Sequence, residues 1–137
     1  MSLPTVRACI ICDTVREEVG GKLTVLGMFG FAPDVMIHVR ALPAQFELTF
    51  LLVFAKATKE IQTKLVPEVL NQQGETVVRF PEMSGKFEAG KGAIIAMDVR
   101  ALQAKQAGEY RFRLLAEGKE EYSTTFRIKE GPVQGLP

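Results

Sequence analysis

Cys9 and Cys12 form the one Cys-x-x-Cys of the chain, a spacing that serves either a metal or a dithiol. A closed zinc site needs about four ligands, and His38 is the single histidine, so one chain cannot complete a Cys/His set. A dithiol motif would open a helix after a strand, whereas these cysteines lie inside the apolar run Ala8-Cys9-Ile10-Ile11-Cys12. In a strand, residues i and i+3 point to opposite faces, so the two thiols should not bond each other. They read as small hydrophobes in a reducing compartment.

Gly85-Lys86-Phe87-Glu88-Ala89-Gly90-Lys91-Gly92 has the glycine and lysine spacing of a phosphate-binding loop. That chemistry needs Ser or Thr after the lysine to hold magnesium, and a strand before and a helix after. Gly92 stands where the hydroxyl should be, so the segment reads as a glycine-rich connection. His38 sits in the apolar stretch Val35 to Val39, where a histidine usually packs. Ser84 or Ser123 with Asp34 or Asp98 could complete a triad on paper, but no nucleophile-elbow pattern supports one. Asp13, Asp34 and Asp98 are too scattered for a calcium loop. Without tryptophan, a sugar-stacking platform has no support. Arg111 and Arg113 share an outward face with Arg127 and Lys129, but Glu109 and Glu121 interrupt it, and it reads as a solvated sheet face.

Asp13, Arg16 and Glu18 are charges wedged between apolar segments. A guanidinium fork can hold a carboxylate and loop carbonyls together, which suggests a clasp fixing the first crossing between sheets. A polar recognition site is the competing reading. No catalytic residue, metal ligand or cofactor site emerges.

Apolar alternation bounded by turn residues recurs along the chain, the signature of an all-β fold. Strands are expected at Val6 to Cys12, Leu23 to Met28, Val35 to Val39, Phe46 to Lys56, Ile61 to Leu70, Thr76 to Phe80, Ala93 to about Arg100, Glu109 to Ala116 and Tyr122 to Ile128. Gly20-Gly21 suits a tight hairpin, Pro67 suggests an edge strand or bulge, and Pro81 to Gly92 reads as a loop. Residues 93–107 are also rich in helix formers, so strand plus turn competes there with helix. The expected core is Ile10, Leu23, Val25, Phe46, Leu48, Phe50, Leu52, Val99, Leu102, Tyr110, Phe112, Phe126 and Ile128.

Met97, Val99, Leu102, Gln106, Gly108, Tyr110 and Phe112 sit at the offsets of the immunoglobulin-domain run L-x-I-x-x-L-x-x-x-D-x-G-x-Y-x-C. In that run the tyrosine hydroxyl bonds back to the corner backbone. Gln106 replaces the acid and Phe112 the cysteine. Separately, Ile11-Cys12-Asp13-Thr14-Val15-Arg16-Glu17-Glu18 followed by Gly21-Lys22-Leu23-Thr24-Val25-Leu26-Gly27 resembles the opening of a family of uncharacterised bacterial proteins. Gly108-Glu109-Tyr110-Arg111-Phe112-Arg113-Leu114 resembles its ending. The resemblance implies an immunoglobulin-like β-sandwich and supplies no activity or site residue.

With 137 residues, 47% hydrophobic and 24% charged, the chain has the size and composition of one soluble domain. Residues 1–130 are expected to form it, with 131–137 a flexible tail. A net charge of +1 gives no reason to expect nucleic acid or a membrane as partner. No secretory pattern opens the chain, and a cytoplasmic location is expected. The reading is a two-sheet immunoglobulin-like sandwich of about eight or nine strands. Its expected role is a non-catalytic interaction module binding a protein partner or its own copies. The alternatives are a small-molecule or carbohydrate binder, or an enzyme with an unrecognised site.

Overall fold

Strict alternation of Leu48, Phe50, Leu52 and Phe54 places four large apolar side chains on one face of a strand, and all four are buried. That strand is central to the first of two sheets seen in a computed structural model, which describes residues 3–131. In chain order the described strands are β1 (Val6–Glu17), β2 (Leu23–Phe31), β3 (Met36–Val39), β4 (Ala44–Phe54), β5 (Ile61–Leu70), β6 (Thr76–Arg79), β7 (Met83–Phe87), β8 (Ala93–Ala104), β9 (Gly108–Ala116) and β10 (Lys119–Glu130). Sheet A runs β2-β1-β4-β8 and sheet B runs β3-β10-β9-β5-β6, with β7 also paired to β5. The architecture is an all-β two-sheet sandwich of ten strands rather than eight or nine. Apart from Gly131, the expected tail lies outside the described residues.

The core lies between the sheets. Phe50 of sheet A stacks on Phe112 of sheet B with ring centroids 4.4 Å apart, and Phe80 and Phe126 meet Phe50 at 6.3 and 5.7 Å. The final hairpin has the expected register: Tyr110 opposes Phe126, and Phe112 opposes Thr124. Its turn uses Glu117 and Gly118, both with positive φ, as a two-residue hairpin loop requires.

The corner before β9 forms the anticipated bond. Tyr110 Oη donates to the Gln106 carbonyl at 2.7 Å. The acceptor is backbone, so the bond does not require the acid that Gln106 replaces. Gly108 has φ +129°, and a Cβ there would overlap the Gln72 amide.

Several expectations are corrected. Residues 93–104 are strand throughout, neither helix nor turn, and a register shift between Phe46 and Leu48 on β4 inserts an extra β8 residue near Arg100. The expected loop at 81–92 contains β7, where Gly85 leaves room that a Cβ would lose to Leu65. In β1, Cys9 and Ile11 face the core, while Ile10 is only half-buried. Leu23 is 38% exposed and Val25 half-buried, so β2 contributes far less to the core than expected.

Pro67 lies neither at an edge nor in a bulge; it is inside β5, opposite Leu114 of β9. Its carbonyl accepts from Phe80 N at 3.0 Å. Within a strand, a residue's N–H and C=O point to the same side. Its missing N–H therefore faces the gap where the neighbour of β5 changes from β7 to β6, and no ladder bond is lost.

Beside it, Glu68 is fully buried on the outer face of sheet B, in a row with Arg79 of β6 and Arg113 of β9. Arg79 Nε donates to one carboxylate oxygen at 2.7 Å and Arg113 Nε to the other at 2.8 Å; each arginine's Nη2 reaches the same oxygen as its Nε. Burial pushes the carboxyl up, but the hydrogen bonds and charges of Arg113 and Arg79 outweigh it and hold it below the usual glutamate range. With the folded-state value depressed, this contribution to stability is present above the unfolded glutamate pKa and is lost as pH falls through the folded value. Arg113→Ala leaves a buried carboxylate short of a cation and should cost about 3 kcal/mol. Glu68→Gln frees arginines that already reach solvent and should cost less. Urea unfolding at neutral pH checks the order; a parental midpoint for Arg113→Ala would refute it.

Candidate functional site

The wedged charges do not form a buried clasp. Arg16 Nε and Glu18 Oε1 lie 3.8 Å apart with both side chains exposed. Asp13 cannot join them, because i and i+3 on one strand face opposite ways. Its carboxylate instead lies over Gly27, where an added Cβ would overlap it. Gly27 has φ +62°, so the Asp13 and Gly27 of the opening motif are partners across the β1–β2 pair.

The thiols are free and buried. Cys9 faces the core, and burial pushes its thiol up to about 12 despite a hydrogen bond with Tyr122 that works the other way. Cys12 faces outward beneath neighbouring side chains, with Sγ 3.6 Å from the Thr14 carbonyl and 3.8 Å from that of Thr49. Burial, then the charges of Asp13 and Asp98, raise it too. Neither is an activated nucleophile.

Other chemistry-bearing residues are kept apart. His38 opposes Lys129 and its Nδ1 is buried with no partner. Ser84 opposes Lys64, and Ser123 Oγ accepts from Arg111 at 3.2 Å. Asp98 accepts from Thr49 Oγ1 at 2.6 Å. Lys91, in the glycine-rich segment, pairs with Glu88 at 2.7 Å. Two of the basic stripe's four residues are engaged as well, Arg113 by Glu68 and Arg111 by Glu120 at 2.6 Å, while Arg127 and Lys129 are exposed beside them. Among the described residues no three metal-ligating side chains cluster, and no helix is long and apolar enough to cross a membrane. A hollow of about 290 Å³ beside the Tyr110 corner is lined by Asn71, Glu75, Gln103 and Gln106. Asn71 already spends its amide within its own turn, accepting from Gln73 N and Glu75 N.

What remains open is the outer face of sheet A. The registers place Phe31, Ile10, Leu51 and Ala96 in one row across four strands. Ala8, Val53 and Ile94 form the row on one side, and Met28, Cys12, Thr49 and Asp98 the row on the other. Met28, Phe31 and Ile94 are each more than half exposed and Leu26 is 38% exposed. At on the order of 200 Å² per residue these four present roughly 400 Å² of apolar surface, most of it on β2 and the Ile94 share on β8 at the far edge, within the range of the largest apolar patch on a typical monomer.

The sheet A edge beside this face is guarded only by a bulge at Phe29. β2 reads Leu-Thr-Val-Leu-Gly-Met-Phe-Gly-Phe, with no charge and no proline, and no described strand lies on its outer side. The sequence held a signal for this site that the core assignment missed. β2 is apolar at both odd and even positions, a pattern that suits a strand covered on both faces, yet it lies at an edge.

Fold and surface together define a two-layer β-sandwich with a buried-carboxylate ionic row on one outer face and exposed apolar side chains along the β2 edge of the other. The chain belongs to a family described as a family of unknown function (DUF6941), whose model matches residues 7–129. No curated protein matches the chain. Among solved structures, Pseudomonas fluorescens alkylpurine DNA glycosylase AlkC, bound to DNA containing an abasic site analog, is similar at 15% identity with a TM-score of 0.47. The similarity covers 72% of this chain and 28% of that one.

Two outcomes follow from the local geometry. Arg16→Ala should move folding stability by no more than about 0.5 kcal/mol, as for other exposed pairs; a large loss in chemical denaturation would show that the segment needs the pair. At pH 8 the folded protein should resist iodoacetamide at both cysteines and react at both once unfolded. Rapid native labelling, read by intact mass, would contradict the thiol assignment.

Proposed function

We propose that this chain is a non-catalytic association module whose contact surface is the β2 side of sheet A, where Leu26, Met28 and Phe31 are exposed next to Ile10 of β1. The observation that carries the reading is the exposure of Leu26, Met28 and Phe31 on one uncharged edge strand. The occupant is a second copy of the chain. The β2 side of sheet A is uncharged and can adjoin its own image with no like-charge penalty, whereas β6 and β9 of sheet B would bring Arg79, Arg111 and Arg113 near their own copies.

The balanced net charge of +1 weighs against nucleic acid as a partner, because phosphate contacts require an excess of free cations. The raised thiols and the separation of His38 from Ser84 and Ser123 support a role without catalysis or cofactor. The Tyr110–Gln106 bond supports an immunoglobulin-like relationship for the sandwich, a fold that serves association in many settings. Two buried free thiols fit a reducing, cytoplasmic setting.

In sedimentation at rising concentration, the parent should self-associate in the micromolar range. Met28→Lys with Phe31→Lys should weaken association at least tenfold while leaving the far-ultraviolet circular dichroism unchanged. A parent that stays monomeric to several hundred micromolar, or a double variant that associates like the parent, would overturn the reading.

A further inference from the structure

We infer that two copies join through β2 itself, paired antiparallel across a two-fold axis at Val25, so that the two A sheets become one continuous sheet. The inference rests on the association reading above and adds the partner element and its register. The Glu18 N–H donates to the Lys22 carbonyl at 2.7 Å, which makes these two a hydrogen-bonded pair at the closed end of the β1–β2 hairpin. The register then runs without a shift through Glu17/Leu23, Arg16/Thr24, Val15/Val25 and Thr14/Leu26. Alternation in an antiparallel ladder therefore turns Thr24 and Leu26 toward β1 and leaves Leu23 and Val25 with N–H and C=O, and Gly27 with its N–H, directed to the open side.

Those three residues complement themselves. With the axis at Val25, Val25 meets Val25 of the partner subunit and can exchange both backbone bonds, and the Leu23 carbonyl on either side can accept from the N–H of Gly27 of the partner subunit.

Charge selects this edge over the others. The other edge of sheet A, β8, carries Asp98 and Arg100; in sheet B, β6 carries Arg79 and β7 carries Lys86. β3 has no acidic or basic residue besides His38 but is only four residues long. β2 has nine residues and no charge, and of the devices by which edge strands usually prevent such pairing it has only a bulge at Phe29, outside the stretch Leu23 to Gly27. The axis also accounts for Val19, which stands 95% exposed at the hairpin tip. Antiparallel pairing about Val25 carries that tip alongside the end of the partner's strand near Phe29 and Phe31 of the partner subunit. Both residues are exposed apolar groups within a single chain.

Val25→Pro removes an N–H that serves only the open side. It should keep the β-sheet spectrum while lowering dimer affinity of the 15.1 kDa chain at least tenfold in sedimentation. In the proposed register Thr24 faces Leu26 of the partner subunit, so Thr24→Lys with Leu26→Lys should dissociate the dimer, and Thr24→Lys with Leu26→Glu should restore it. The charge pair decides the matter if the proline variant fails to fold. A parent dimer that persists in folded Val25→Pro, or two charge variants that dissociate alike, would overturn this inference and leave the association reading standing. A monomeric parent would end both.

Discussion

Phe50 lying flat against Phe112 is the contact on which the sandwich depends, because it joins an interior strand of each sheet. β4 and β9 have hydrogen-bonded strands on both sides, so neither can shift without carrying its whole sheet. Phe80 and Phe126 close on the same stack from the sides. A pair of large rings at the centre fixes both the distance between the sheets and their relative slide. The alternation of every neighbouring strand must then conform to that one spacing.

From this centre the two outer faces diverge. Sheet B meets solvent with an ionic row in which a buried carboxylate holds two arginines. Sheet A meets it with Met28, Phe31, Ile94 and the half-buried Ile10 and Val53. A lone domain gains little from leaving such side chains in water. The ionic row of sheet B is satisfied within the single chain, and the exposed apolar side chains of β2 are not covered by it.

Most of the architecture was legible in the sequence because period-two alternation and turn chemistry are strong in β4, β9 and β10. β7 was missed for a physical reason: Gly85, which reads as a loop residue, is glycine because Leu65 occupies the space of its side chain. The parity of β1 was misread because Ala8, Ile10 and Cys12 form as good an apolar stripe as Cys9 and Ile11, and a strand apolar on both faces does not say which one is the core. Asp13, Arg16 and Glu18 drew attention as charges among apolar strands, but strand geometry alone separates Asp13 from Arg16. The candidate surface hid for the opposite reason. Its residues look like core in the sequence, and only the sheet order places them at an edge.

The order of strands also has a kinetic side. β10 pairs in parallel with β3, β5 pairs with β9, and β4 pairs with β8, so much of each sheet waits on encounters between distant parts of the chain. Such topologies fold slowly relative to those built from local contacts. The β1–β2 hairpin, closed by a short turn, is local and can form early. During that interval its uncharged outer edge is offered to other half-folded chains before the rest of sheet A exists to set its twist. The strand suited to a specific partner is thus also the one most vulnerable to the wrong one, and chain concentration during folding becomes a determinant of yield.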